Sequence, residues 1–384
     1  MKCAWKVKAI FTEDEIVSNR LLVIEENKIV GLFSQAEVEA MQIPVKENLE
    51  ALILPGMVDT HIHGAVGADT MDATPESLKK IGDFLLSEGT TAWQPTTVTA
   101  SLEDIYKAVA NVKACKESEM DSARIIGCFV EGPYISKEYK GAHPEALIRP
   151  LSCEEMAKIK EAGLVSVIAA APEKEGAEEF VRWAVQHGIK VSLAHSKATY
   201  EESCQAIAAG ADAVVHTFCG MAPLHHRSPN LLGAALVKDE VYAELIADGI
   251  HVQTPAMQVL LRCKPKDKVL LVSDAIQATG LPDGEYMLGV EPICVKNGIS
   301  RVRNGSLAGS TATLLQEVRR LIVEVGEEPL TAVKMGSLNP SRRFGVDGEI
   351  GSIKAGKKAD FLLVDKNYQL KETWLDGKCV VRKF

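Results

Sequence analysis

The stretch PGMVDTHIHG, residues 55–64, sets two histidines one residue apart at the end of an apolar run. In an extended strand residues 61 and 63 project to the same side. The imidazoles of His61 and His63 can therefore reach one cation, with Ile62 turned the other way. A His-x-His pair also occurs in proteins that bind no metal, so the question is whether other ligand types fall at comparable places. Glu131 ends the apolar part of RIIGCFVEGP, His195 that of KVSLAHS, and His216 that of AVVHTFCGM. His251 ends VYAELIADGIH and Asp274 ends KVLLVSDA. Each has a plain structural reading: a rim ion pair for Glu131, a hydrogen-bonded core histidine for His195 or His216, a helix N-cap for Asp274. Together they supply the nitrogen and oxygen donors that Zn²⁺ or Fe²⁺ accepts, and Mn²⁺ or Co²⁺ as well, for one or two ions. Beside such a centre Asp274 can take a proton from an attacking water and deliver it to a leaving nitrogen.

These residues need a scaffold that brings distant strand ends together. With TTAWQPTT and LVSVIAAAPE the apolar runs number eight, and six of them finish in a metal-ligand or acid residue type. They alternate with helical segments such as Pro75–Glu88 and Leu102–Lys116. Such alternation implies a parallel sheet. Eight strand-then-helix units suit a closed (β/α)8 barrel of the TIM type, whose site lies at the C-terminal ends of its strands. A doubly wound open sheet is the alternative. Residues 281–304 read as an inserted hairpin within a barrel domain of residues 53–345, and residues 1–52 and 346–384 read as strands and turns that pair into a small β-sandwich domain.

The 384 residues carry a formal charge of −9, which leaves no basic excess for nucleic acid or an anionic membrane surface. No apolar stretch reaches membrane-spanning length, and the start MKCAWKVKAIFTEDEI is too charged for a signal peptide. Nine cysteines without a CxxC pair suggest reduced thiols and a cytoplasmic protein.

At these residues the sequence resembles the amidohydrolase superfamily, and within it the amino-sugar-phosphate deacetylases. PGMVDTHIHG, GTTAWQPT, EGPYISKEYKGAHPEALI, HTFCGMAPLHHRSPN, IADGIHV, LVSDA, GLPDGEY, SLAGSTATL, SLNPSRRFG and GSIKAGKKADF carry the likeness nearly end to end. The resemblance implies a barrel plus small β domain, a homodimer, and cleavage of the acetamide of an N-acetyl amino-sugar phosphate to acetate and the free amine. N-acetylglucosamine 6-phosphate is the expected substrate and its galacto epimer the alternative. Carried over by position, Glu131, His195 and His216 are implied as metal ligands and Asp274 as general acid and base. His61 and His63 match the form that holds a second ion, with Glu131 then able to bridge. His143 and Ala142, in GAHP, are implied at the acetamide or sugar, with Leu307, Ala308 and Gly309 forming a wall of the sugar site. Arg227 is implied to clamp the phosphate, and His251 to contact it from across a dimer, in the neighbouring subunit's site.

Where the family reads Asn-Ala-Met, this chain has Cys219, Gly220 and Met221. A side-chain amide is missing near the sugar or phosphate, while backbone N–H groups remain. Cys219 lacks an evident thiolate-stabilising partner in the sequence and is not expected to be a nucleophile. A cyclic-amide hydrolase built on a carbamylated lysine would need Lys174, which falls beyond Pro172. A non-catalytic sugar-binding barrel would have little reason to keep the complete donor set.

Overall fold

The computed structural model describes residues 2–383. Eight parallel strands form the barrel: β1 (Met57–Ile62), β2 (Thr90–Thr97), β3 (Phe129–Val130), β4 (Val167–Ala170), β5 (Lys190–Leu193), β6 (Ala213–Val214), β7 (Tyr242–Leu245) and β8 (Val269–Leu271). They pair in chain order, β1 against β2 and so on to β8. A parallel bridge between Ile62 and Ala275, with Asp274 N–H donating to the His61 carbonyl at 2.9 Å, joins the last strand back to the first. Strands covered on both faces favour apolar residues, which is why β4, β6 and β8 read as unbroken Val, Ile, Leu and Ala runs. β4, β5 and β8 are buried almost completely.

Helices alternate with the strands, and their ends are written into the sequence. The Tyr200–Ala209 helix opens with a Thr199–Glu202 capping box and closes at Gly210 in a left-handed conformation. The Leu102–Glu117 helix is capped by the Ser101 hydroxyl, which accepts from Asp104 N–H. After β8, strands Gly284–Leu288, Glu291–Lys296 and Ile299–Val302 form a three-stranded antiparallel sheet, whose apolar side includes Leu288, Ile293, Val295 and Val302.

By compactness, one unit holds Thr60–Phe84 and Trp93–Thr313, and the other holds the remaining described residues. The second unit contains an eight-stranded sheet drawn from both ends of the chain, in which Val45–Pro55 pairs parallel to Lys2–Phe11 and antiparallel to Phe361–Val364. Trp5, Phe361 and Trp374 pack in its core, with the Phe361 and Trp374 rings stacked at 5.4 Å. The alternation that sequence patterning needs is visible there: Trp5 and Val7 enter one cluster, Ala4 the other. Among the described residues no helix is long and apolar enough to cross a membrane.

Candidate active site

The strand ends converge. His61 and His63 follow from β1, Glu131 from β3, His195 from β5, His216 from β6 and Asp274 from β8, all buried in the first unit. His195, His216 and Asp274 hold φ values of 44°, 27° and 48°. Left-handed backbone at three non-glycine residues is strain that the surrounding packing must hold in place, and it turns each side chain inward as its strand ends.

Glu131 is the hub. Its Oε1 lies 3.3 Å from His195 Nε2 and 3.2 Å from His216 Nε2, while its Oε2 lies 3.5 Å from His61 Nε2 and 3.2 Å from His63 Nε2. Asp274 Oδ1 stands 3.5 Å from His61 Nε2 and 3.2 Å from His63 Nε2. Two donor groups result: His61, His63 and Asp274, and Glu131, His195 and His216. Tetrahedral coordination at about 2.1 Å places donor atoms about 3.4 Å apart, so these separations fit a divalent ion in each group.

The outer nitrogens of the four imidazoles decide what the inner ones offer. His63 Nδ1 donates to the Thr96 carbonyl at 3.2 Å, His195 Nδ1 to the Tyr139 carbonyl at 2.8 Å, and His216 Nδ1 to the Cys219 carbonyl at 3.2 Å. His61 Nδ1 faces Glu244 Oε2 at 3.1 Å. With a proton held outside at Nδ1, each Nε2 is the atom directed inward, and it offers the lone pair that ligation requires once a bound cation displaces any proton there. His195 Nε2 and His216 Nε2 lie 3.2 Å apart, and two lone pairs at that distance repel unless positive charge sits between them.

His143 is wired the opposite way. Its Nδ1 accepts from the Thr99 N–H at 3.2 Å and lies 2.9 Å from Thr99 Oγ1. Its Nε2 therefore carries the proton and faces inward as a donor, 3.6 Å from Glu131 Oε2. Burial drives its pKa down to about 4, so the ring is neutral. Burial also works against charge on the other groups, but opposite charges prevail. Glu131 is held well below the usual carboxylate range, chiefly by His61 and the imidazoles that bond it. Asp274 falls to about 2 beside His61 and His63, and His63 rises to about 9 beside Asp274 and Glu131.

A cavity of about 380 Å³ opens over this cluster. His63, Glu131, His143, His195, His216 and Asp274 line it, as do Ala142, Cys219, Gly220, His251, Leu307 and Gly309, with Glu138, Tyr139 and Ser306 adding further polar groups. Ala308 is buried beside them without reaching the cavity, and Ser310 N–H donates to the Asp274 carbonyl at 2.7 Å, tying this wall to the acid. Gly220 has φ of 61°, and a Cβ there would stand 2.8 Å from His195 Nδ1. Burial, with Asp274 and Asp248 nearby, pushes the Cys219 thiol up to about 12, far from a nucleophilic thiolate.

His251 and Arg227 stand differently toward the cavity of their own chain. His251 lines it. Asp248 is the reason: its Oδ1 accepts the Ile250 and His251 N–H groups, each at 2.8 Å, and its Oδ2 accepts His251 Nδ1 at 2.7 Å, folding the ring inward. Arg227 does not line its own chain's cavity and is exposed, with a guanidinium nitrogen 2.7 Å from His226 Nε2. Lys174 donates to the Arg149 carbonyl at 2.9 Å and does not line the cavity. Sequence reasoning missed Glu244, Thr99 and Asp248. Glu244 did leave a signal, a carboxylate inside the otherwise apolar strand YAEL.

The amidohydrolase family model matches residues 52–380. An N-acetylgalactosamine-6-phosphate deacetylase of Escherichia coli O157:H7 is 37% identical, covering 97% of this chain and 98% of its own. An N-acetylglucosamine-6-phosphate deacetylase of Vibrio furnissii is 40% identical over 85% of this chain and 82% of its own. Among solved structures, N-acetylglucosamine-6-phosphate deacetylase from Thermotoga maritima superposes with a TM-score of 0.89 at 34% identity, covering all of both chains. An aspartate-to-alanine variant of the Mycobacterium smegmatis enzyme, in complex with N-acetyl-D-glucosamine-6-phosphate, gives 0.93 at 29% identity, covering 99% of each chain. A family match over most of the sequence, on a barrel whose strand ends gather these histidines and carboxylates, means that this chain belongs to the amidohydrolase family.

Proposed function

We propose that this chain is a divalent-metal-dependent deacetylase that hydrolyses N-acetylglucosamine 6-phosphate to glucosamine 6-phosphate and acetate, working in the cytoplasm as a homodimer. The observation that carries the reading is the contrast in wiring: four imidazoles tied outward through Nδ1, so that Nε2 is directed at Glu131 or Asp274, and one, His143, whose Nδ1 accepts and whose Nε2–H is directed the same way. The two donor groups would hold one or two ions, zinc or iron by ligand type, with manganese or cobalt also suited. An ion bound there supplies Lewis acidity toward water and the amide carbonyl.

The chain's own residues do the rest. Asp274, held ionised, accepts the proton of the attacking water and returns it to the nitrogen as the C–N bond breaks, so that an amine departs rather than an amide anion. His143, neutral, donates from Nε2 to the oxygen on which charge develops. His251, backed by Asp248, offers Nε2 to the phosphate; Asp248 outweighs burial and raises its pKa, favouring the cationic form that an anion needs. Leu288, Leu307 and Ala142 give the cavity an apolar side for the sugar.

The galacto epimer remains a second reading, favoured by the 37% identity to the Escherichia coli galacto enzyme over nearly the whole chain. Acetate release from N-acetylglucosamine, its 6-phosphate and N-acetylgalactosamine 6-phosphate, with Zn²⁺, Fe²⁺, Mn²⁺ or Co²⁺ added in turn, tests reaction, phosphate and epimer together. Fastest turnover of the gluco 6-phosphate is expected. Turnover of the galacto isomer alone would move the assignment to the second reading, and no acetate from any substrate with any ion would refute both.

A further inference from the structure

Glu244 lies in the middle of the barrel wall, 1% exposed, on a strand whose neighbours Ala243 and Leu245 are wholly buried. Its Oε2 accepts the His61 Nδ1–H at 3.1 Å and the backbone N–H of His216 at 3.4 Å, and its own carbonyl accepts the Thr217 N–H at 2.8 Å. One oxygen thus touches a member of each donor group. The imidazoles of His63, His195 and His216 lean on neutral carbonyls of Thr96, Tyr139 and Cys219. Of the four, His61 is the one backed by a carboxylate.

We infer that Glu244 is a positioning residue for metal binding, which fixes the His61 tautomer and strengthens His61 as a donor, so that the ion held by His61, His63 and Asp274 depends on it more than the ion held by Glu131, His195 and His216. This rests on the metal-dependent reading above. The physical basis is general: a carboxylate behind a ligating imidazole orients the ring and raises the electron density at its inner nitrogen. A neutral carbonyl orients but donates less. The bond to the His216 N–H, being longer, holds the β6 end of the barrel mouth without touching its imidazole.

The test is Zn²⁺ uptake by the full-length chain, stripped of metal and titrated against a chromophoric chelator. The parent is compared with Glu244→Gln, whose amide oxygen still accepts the His61 proton but lacks the charge. One class of zinc affinity is expected to weaken about 10–100-fold, with the other changed less than about threefold. Unchanged affinities, or a uniform loss in both classes, would overturn the inference while leaving the deacetylase reading in place. A parent that takes up no ion would overturn the reading and this inference with it. If Glu244→Gln does not fold, two-bond ¹⁵N–¹H correlations on the zinc-loaded parent decide: His61 protonated at Nδ1 is expected, and His61 bare at Nδ1 overturns the assignment.

Discussion

Replacing His143 with asparagine separates donation from ligation. The asparagine Oδ1 can occupy the place of Nδ1 and keep accepting from the Thr99 N–H, while nothing remains at the Nε2 position. Burial holds the parent ring's pKa down to about 4, so at pH 7.5 His143 is neutral. What is lost is therefore one neutral N–H aimed into a dry site. A donor of that kind is worth about 10²–10³ in kcat, or roughly 3–4 kcal/mol. Neither donor group includes His143, so bound metal should stay the same. His143→Gln, whose amide reaches the Nε2 position, should recover part of the rate.

The same residue gives a stability signature with a definite sign. A folded pKa of about 4 against the ordinary 6.5 means that the unfolded chain binds more protons between those values, so His143 contributes stability above pH 6.5 that is lost as pH falls toward 4. The difference of about 2.5 pH units corresponds to roughly 3 kcal/mol. Denaturant unfolding of parent and His143→Asn across pH 4–7 should show a steeper acid loss in the parent. Acetate release within threefold of the parent, or metal lost together with activity, would refute His143 as the donor.

Other outcomes follow from the same geometry. Asp274→Asn should cut kcat by about 10²–10⁴ by removing the proton carrier, and because Asp274 also faces His61 and His63, elemental analysis should show any metal loss confined to one ion. Gly220→Val should lower both thermal stability and metal affinity, since φ of 61° disfavours a branched residue and its Cβ would press on His195; a variant with parental zinc affinity would contradict that. Chelation should abolish acetate release and lower the melting temperature, and re-added Zn²⁺ should restore both in a concentration-dependent way.

The strand ends were legible because a barrel strand favours apolar residues, so a histidine or carboxylate at its end stands out; His61, Glu131 and Asp274 are all visible on that ground. The tautomers were not, because they depend on the Thr96, Tyr139 and Cys219 carbonyls and the Thr99 N–H, backbone groups that every residue possesses. The inward turn of His251 depends on Asp248, three residues earlier, and spacing alone does not reveal which way a loop histidine faces. Glu244 is buried mid-strand rather than at a strand end, and reasoning from strand ends passes over it. Arg227 belongs to a motif-like loop, yet an exposed loop carries no internal pattern that sets its direction.

The most direct measurement is anomalous diffraction from crystals of the chain grown with Zn²⁺ and shown to release acetate. A peak is expected within about 2.1 Å of His195 Nε2 and His216 Nε2 and bonded to Glu131 Oε1, with a second, where two ions bind, among His61, His63 and Asp274. An active, zinc-dependent protein whose anomalous peaks lie away from Glu131 would contradict the assignment.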